Sequence, residues 1–138
     1  MSKVVLPVVV DTNFMTVPSQ FNVDVFSEAE RVLESRVEFV VLSSVKTEID
    51  AKARDAKGGS DKRAFKIAGE LVNRCRIAEI EDSLLKLPVD DQLLEYATHV
   101  EGVLATNDKE LRTRARALGI PVLFLRAQKH LALDGTLP

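Results

Sequence analysis

Four short runs of β-branched and aliphatic residues, Val4 to Val10, Val37 to Leu42, Gly102 to Thr106 and Pro121 to Leu125, alternate with stretches whose apolar residues recur every three or four positions. Apart from Glu38 and the closing Thr106, the runs are apolar at successive positions rather than at every second residue, which predicts strands buried on both faces. Between them, Val25, Ala29, Val32 and Leu33 form one helical stripe and Val45, Ile49 and Ala53 a second. Ala64, Ile67, Ala68 and Leu71 form a third, Leu93, Leu94 and Ala97 a fourth, and Leu111, Ala115 and Leu118 the last. Asn107 with Glu110 reads as a capping-box-like start to that last helix, and Gly119 suits the left-handed residue after its end. Strands alternating with helices predict an α/β fold, a parallel sheet of about four to five strands with helices on both faces. Right-handed crossovers then bring all strand carboxyl ends to one edge, where ligands bind.

One domain over residues 1–133 suits a chain of 138 residues that is 46% hydrophobic, with 134–138 expected as a flexible tail. Lys57 to Asp61 is a break between two helical segments, with Asp61 as the expected N-cap of the second. Pro7 interrupts the first apolar run and Asp11 ends it, so it reads as a strand rather than a leader. No apolar run approaches the roughly 18 residues of a membrane span. With one cysteine, Cys75, and two distant histidines, His99 and His130, the chain offers neither an internal disulfide nor a zinc spacing. A reducing compartment, the cytoplasm, is the natural setting.

Asp11 follows the first strand, Glu48 lies one turn into the helix after the second, and Asp108 follows the run ending at Thr106. All three therefore approach the same edge, and a helix opening at Asp90-Asp91 brings Asp91 towards them, with Asp90 as a further candidate. Carboxylates gathered this closely raise one another's proton affinity or demand a cation. All-oxygen ligands select magnesium or manganese, whose usual substrate is a phosphate ester. Taken singly, each acid has a plainer explanation: Asp90 and Asp108 as helix caps, Asp11 as a turn residue, Glu48 as an i,i+4 partner of Lys52. Their joint pattern overrides these.

The strings Val-Val-Val-Asp11-Thr12-Asn13, Glu48 after Ser-Ser, Asp90-Asp91-Gln-Leu-Leu-Glu-Tyr-Ala97 and Ala105-Thr106-Asn107-Asp108 occur in an order that resembles the PIN-domain nucleases over nearly the whole chain. The resemblance implies a three-layer domain and a metal-dependent endoribonuclease that uses Mg2+ or Mn2+. Asp11, Glu48, Asp91 and Asp108 would be its catalytic and metal-site acids, and Thr12, Asn13 and Thr106 supporting residues. The chain is similar both to VapC-type toxin ribonucleases and to the nucleases of small-subunit ribosomal RNA maturation. It therefore implies RNA as substrate, a cognate antitoxin or a pre-ribosomal particle as partner, and a homodimer. The alternative is a non-catalytic PIN-fold subunit that binds RNA or assists assembly.

Net charge is −2, but its distribution is uneven: residues 46–76 hold nine Lys or Arg against five acids, residues 79–101 one against seven, and residues 109–129 six against one. Lys52, Arg54, Lys57, Lys62, Arg63 and Lys66 are candidates for gripping an RNA backbone, with Lys109, Arg112 and Arg116 extending the track from the last helix. Phe14 and Tyr96 are candidates for stacking on a base. An aspartyl phosphatase fits poorly, because it needs a second aspartate where Asn13 stands, and a receiver domain needs an acidic pair after the first strand.

Overall fold

Each of the four predicted runs is a strand in the computed structural model, which describes residues 5–137; Val4 lies outside the described residues. In chain order the elements are β1 (Val5–Val10), α1 (Val17–Phe21), α2 (Val25–Leu33), β2 (Arg36–Leu42), α3 (Ser43–Asp55), α4 (Gly59–Leu71), β3 (Arg76–Ala78), α5 (Asp82–Leu85), α6 (Val89–His99), β4 (Val103–Ala105), α7 (Lys109–Ala117), β5 (Val122–Arg126) and β6 (His130–Asp134). They form one six-stranded sheet in the order β3-β2-β1-β4-β5-β6, parallel except for the β5–β6 pair. Successive strand residues face opposite sides of a sheet. Val8, Val9 and Val10, together with Val40, Val41 and Leu42, are all fully buried, so helices cover both faces. This is the expected α/β architecture, with one strand more than predicted.

From β1 the chain moves outward to β2, and it later returns to place β4 on the other side of β1. The sheet's switch point, where α/β folds open a crevice, therefore lies between the carboxyl ends of β1 and β4. The Asp11 N–H donates to the Ala105 carbonyl at 3.1 Å and ties these two ends together. At their opposite ends Gly102 is required by close approach, since a Cβ there would stand 2.7 Å from the Pro7 carbonyl oxygen. Pro7 is tolerated in a central strand because β4 pairs with β1 only from Val8 onward.

Several local expectations are corrected. The cap of α7 is Asp108, whose carboxylate accepts the Leu111 N–H at 2.8 Å, while Asn107 Oδ1 accepts the Leu125 N–H at 2.7 Å. Gly119 does take a left-handed φ of 81°, with the Gly119 and Ile120 N–H groups closing on the Arg116 and Ala115 carbonyls. Leu118, counted into the buried stripe, is 60% exposed at the end of that helix. Gly58, not Asp61, caps α4, which places Asp61 in its first turn.

β3 is only three residues long and carries no apolar run. β6 returns through Ala127 and Gln128, both at positive φ, in a turn without the glycine or asparagine that marks such hairpins in sequence. The expected loose tail accordingly fails at its first residue, because Asp134 closes β6 and pairs with Arg112 at 2.8 Å.

Candidate active site

A cavity of about 300 Å³ opens at the switch point, lined by Asp11, Thr12, Asn13, Glu48, Val89, Asp90, Leu93, Asn107 and Asp108. Four carboxylates thus share one concavity whose lining contains no lysine or arginine. Each arrives on a different element. Asp11 and Asp108 leave the ends of adjacent parallel strands, Glu48 projects from α3 and Asp90 from the first turn of α6.

Asp11 is the deepest of them, 9% exposed. Its Oδ1 accepts the Phe14 N–H at 2.8 Å and its Oδ2 accepts the Thr106 hydroxyl. Thr106 is fully buried, and its Oγ1 also accepts the Asp108 N–H at 3.1 Å, so one hydroxyl links the two strand-end acids. Burial pushes the Asp11 carboxyl up to about 6; the Thr106 and Phe14 hydrogen bonds oppose the rise, and the nearby Asp90 and Asp108 charges add to it. Asp90 is raised too, first by burial and then by Asp108, with Arg114 pulling the other way. Unneutralised carboxylates are what a hard divalent cation offsets. Among the described residues, however, no group of three or more His, Cys, Asp or Glu side chains is close enough to hold one ion directly.

The acidic pair on α6 resolves opposite to the expectation. Asp90 lines the cavity, whereas Asp91 forms an ion pair with Arg114 of α7 outside it. Consecutive helical residues project about 100° apart, and the rotation of α6 that turns Val89 and Asp90 to the cavity turns Asp91 towards Arg114. Thr12 and Asn13 line the cavity, and the Thr106 hydroxyl donates to Asp11.

The sequence reading missed Gln92, 3% exposed, one position beyond the acidic pair. Its Oε1 accepts the Ser44 hydroxyl at 2.6 Å and its Nε2 donates to the Leu87 carbonyl at 2.8 Å. It therefore joins the start of α3, which carries Glu48, to the segment that opens α6, which carries Asp90. A glutamine beside the apolar residues Leu93 and Leu94 is the signal that could have revealed it.

The candidate cations divide. Lys52 lines a second cavity beside the acids and lies 5.4 Å over the Phe65 ring, while the i,i+4 pair on α3 is Lys46 with Asp50 at 2.7 Å. Lys57, Lys62, Arg63 and Lys66 are exposed along the α3–α4 hairpin, and Arg54 pairs with Asp55. Arg112 and Arg116 do not reach the acids: both pair with Asp134, and Arg112 stacks 3.8 Å from the Phe124 ring centroid. Neither proposed stacking residue lines the acid cavity. Phe14 is fully buried in the core, and the Tyr96 hydroxyl accepts a hydrogen bond from Arg76 at 3.2 Å.

Residues 8–128 match the family model described as a PIN like domain. The chain is 32% identical over 131 residues to Ribonuclease VapC4 of Methanocaldococcus jannaschii, covering 93% of this chain and 96% of that protein. Its fold is similar to the PIN domain endonuclease Utp24, with a TM-score of 0.75 at 22% identity, covering 95% of this chain and 92% of that one. It is also similar, with a TM-score of 0.62 at 12% identity, to a chain of VapBC2 from Rickettsia felis solved bound to a DNA fragment from their promoter; that match covers 88% of this chain and 100% of the other. Among the described residues no helix is long and apolar enough to cross a membrane.

Proposed function

Because this chain belongs to the PIN-domain nuclease family, we propose that it is a metal-dependent endoribonuclease of the VapC type that hydrolyses RNA phosphodiester bonds at Asp11, Glu48, Asp90 and Asp108. The observation behind the reading is the cavity at the β1–β4 switch point, with four carboxylates and no cation of the chain's own. Among the described residues no three of the acids stand close enough together to clasp one ion directly. A magnesium or manganese ion that keeps part of its water shell and meets the acids partly through it suits that spacing. Such an ion, when bound, lowers the pKa of a water and polarises the phosphorus.

The chain's own residues do the rest. Phe14 N–H and Thr106 hold the Asp11 carboxylate in one orientation and favour its charged form against burial. Gln92 fixes the spacing of the two helices that carry Glu48 and Asp90. Lys52 and the exposed lysines of the α3–α4 hairpin supply positive charge for the RNA backbone. Full-length likeness to a curated VapC ribonuclease favours a toxin with a cognate antitoxin over a role in a pre-ribosomal particle, because the Utp24 likeness concerns fold alone.

The absence of a tight three-acid cluster among the described residues favours one second reading, a non-catalytic RNA-binding subunit. Incubating the protein and Asp11→Asn with labelled single-stranded and structured RNA, in magnesium, manganese or chelator, separates the two. Metal-dependent cutting that the variant lacks supports the nuclease. Binding without cutting under every condition favours the subunit.

A further inference from the structure

A second cavity, of about 550 Å³, adjoins the acid cavity and shares Asn13 and Asn107 with it. It is lined further by Thr16, Gln20, Phe21, Lys52, Asp61, Phe65 and Leu125. Its chemistry differs from that of its neighbour: two half-buried phenylalanine rings, the Gln20 amide beside the two shared asparagines, a hydroxyl, and one charge of each sign. We propose that this cavity is a nucleobase subsite, which receives the base of the nucleotide next to the phosphate at the acid cavity.

Three features point to a base rather than to a second phosphate or an apolar ligand. Lys52 and Asp61 leave the lining neutral overall, whereas a phosphate pocket gathers cations. Phe21 and Phe65 offer ring surface, and aromatic side chains near a nuclease centre bind unstacked bases without regard to duplex geometry. Gln20 supplies an amide, the group that pairs with base edges, and its Oε1 lies 3.3 Å from the Thr16 hydroxyl.

The shared walls at Asn13 and Asn107 set the distance: the two cavities are contiguous, as a base and its own backbone phosphate must be. The exposed Lys52 ammonium over Phe65 is a loose contact that an incoming base can displace, which frees the cation for the backbone. A site that takes one splayed base selects single-stranded RNA or a loop over a continuous helix.

This inference rests on the nuclease reading, and its test separates the two. The Asp11→Asn protein is titrated with a labelled single-stranded pentanucleotide RNA and with a set in which one position at a time is abasic. We expect one abasic position to weaken binding at least about five-fold, the penalty to vanish when Phe65→Ala is added, and Phe65→Tyr to retain it. RNA carrying 5-iodouridine, irradiated on protein with Phe65 in place, should yield adducts within residues 17–21 or 59–71. An abasic penalty unchanged by Phe65→Ala, or adducts only elsewhere, overturns the subsite alone. Absence of RNA binding in every arm overturns the nuclease reading and the subsite with it.

Discussion

Thr106 Oγ1 donates to Asp11 Oδ2 across 95 residues of sequence and accepts the Asp108 N–H at 3.1 Å, so a single hydroxyl sets the relation between the two strand-end acids. Replacing Thr106 with valine keeps the volume but removes both bonds. Because the hydroxyl favours the charged form of Asp11, its loss should raise that carboxyl further and move the acid limb of the cleavage profile to higher pH. A buried carboxylate left short of a partner costs about 1–3 kcal/mol. Thr106→Ser should restore both the profile and the stability; a pH–rate series on the three proteins checks this.

Asp11 opposes the stability of the fold it serves. Its native carboxyl takes up a proton near pH 6 and its unfolded one near 3.8, so between those values the native state binds more protons. Stability from this group is therefore full below the unfolded value and falls as pH rises through the window, by about 3 kcal/mol in all. In chelator, Asp11→Asn should be the more stable protein at pH 7, should lose that slope between pH 4 and 6, and should not cleave RNA. Urea midpoints across this pH range decide it; a variant less stable than the parent at pH 7 contradicts the account.

Added magnesium or manganese should stabilise the parent by binding only the folded state, and it should stabilise Asp11→Asn less. Thermal melts with a metal titration, then with excess chelator, measure the difference. Equal shifts in both proteins mean that the ion sits elsewhere.

Asp90 and Asp91 should separate sharply. Asp90→Asn should lower kcat/KM by roughly 100-fold, because it removes a cavity carboxylate. Asp91→Asn loses an exposed pair with Arg114 worth about 0.2–1 kcal/mol and should cleave within about three-fold of the parent. Steady-state kinetics on one RNA suffice, and the reverse ranking would restore Asp91 to the site.

Gln92→Leu should cost about 1–3 kcal/mol by unpairing Ser44 and the Leu87 carbonyl. It should also weaken metal affinity by roughly ten-fold while Gln92→Glu, which can still accept from Ser44, retains more of it. Parallel denaturation and metal titration distinguish loosened acids from a merely less stable fold.

Much of the site can be read from local chemistry. An apolar run that ends directly in Asp11, and another followed by Thr106-Asn107-Asp108, announce both acids as groups at the strand ends, since strands buried on both faces leave their first acids for the edge that meets solvent. Gly119 declares the end of α7 because few other residues tolerate its φ of 81°. Glu48 follows from its position one turn into a helix that starts at the sheet edge.

The three-dimensional packing decides what adjacent residues cannot disclose about themselves. Asp90 and Asp91 share composition and neighbours, and only the rotation of α6 against Arg114 selects one of them for the cavity. Asp108 takes the capping role expected of Asn107, because β5 offers the Leu125 N–H to Asn107. Arg112 and Arg116 leave the RNA track because β6, itself unannounced by any turn residue, delivers Asp134 to them. Phe21 and Phe65 lie 44 positions apart and carry no common signal until α1 and α4 meet beside the acids. Periodicity and punctuation are properties of neighbours in sequence, and they determine the elements and their ends; which side chains share a cavity depends on helix rotation and on long-range partners, and these exist only once the sheet has closed.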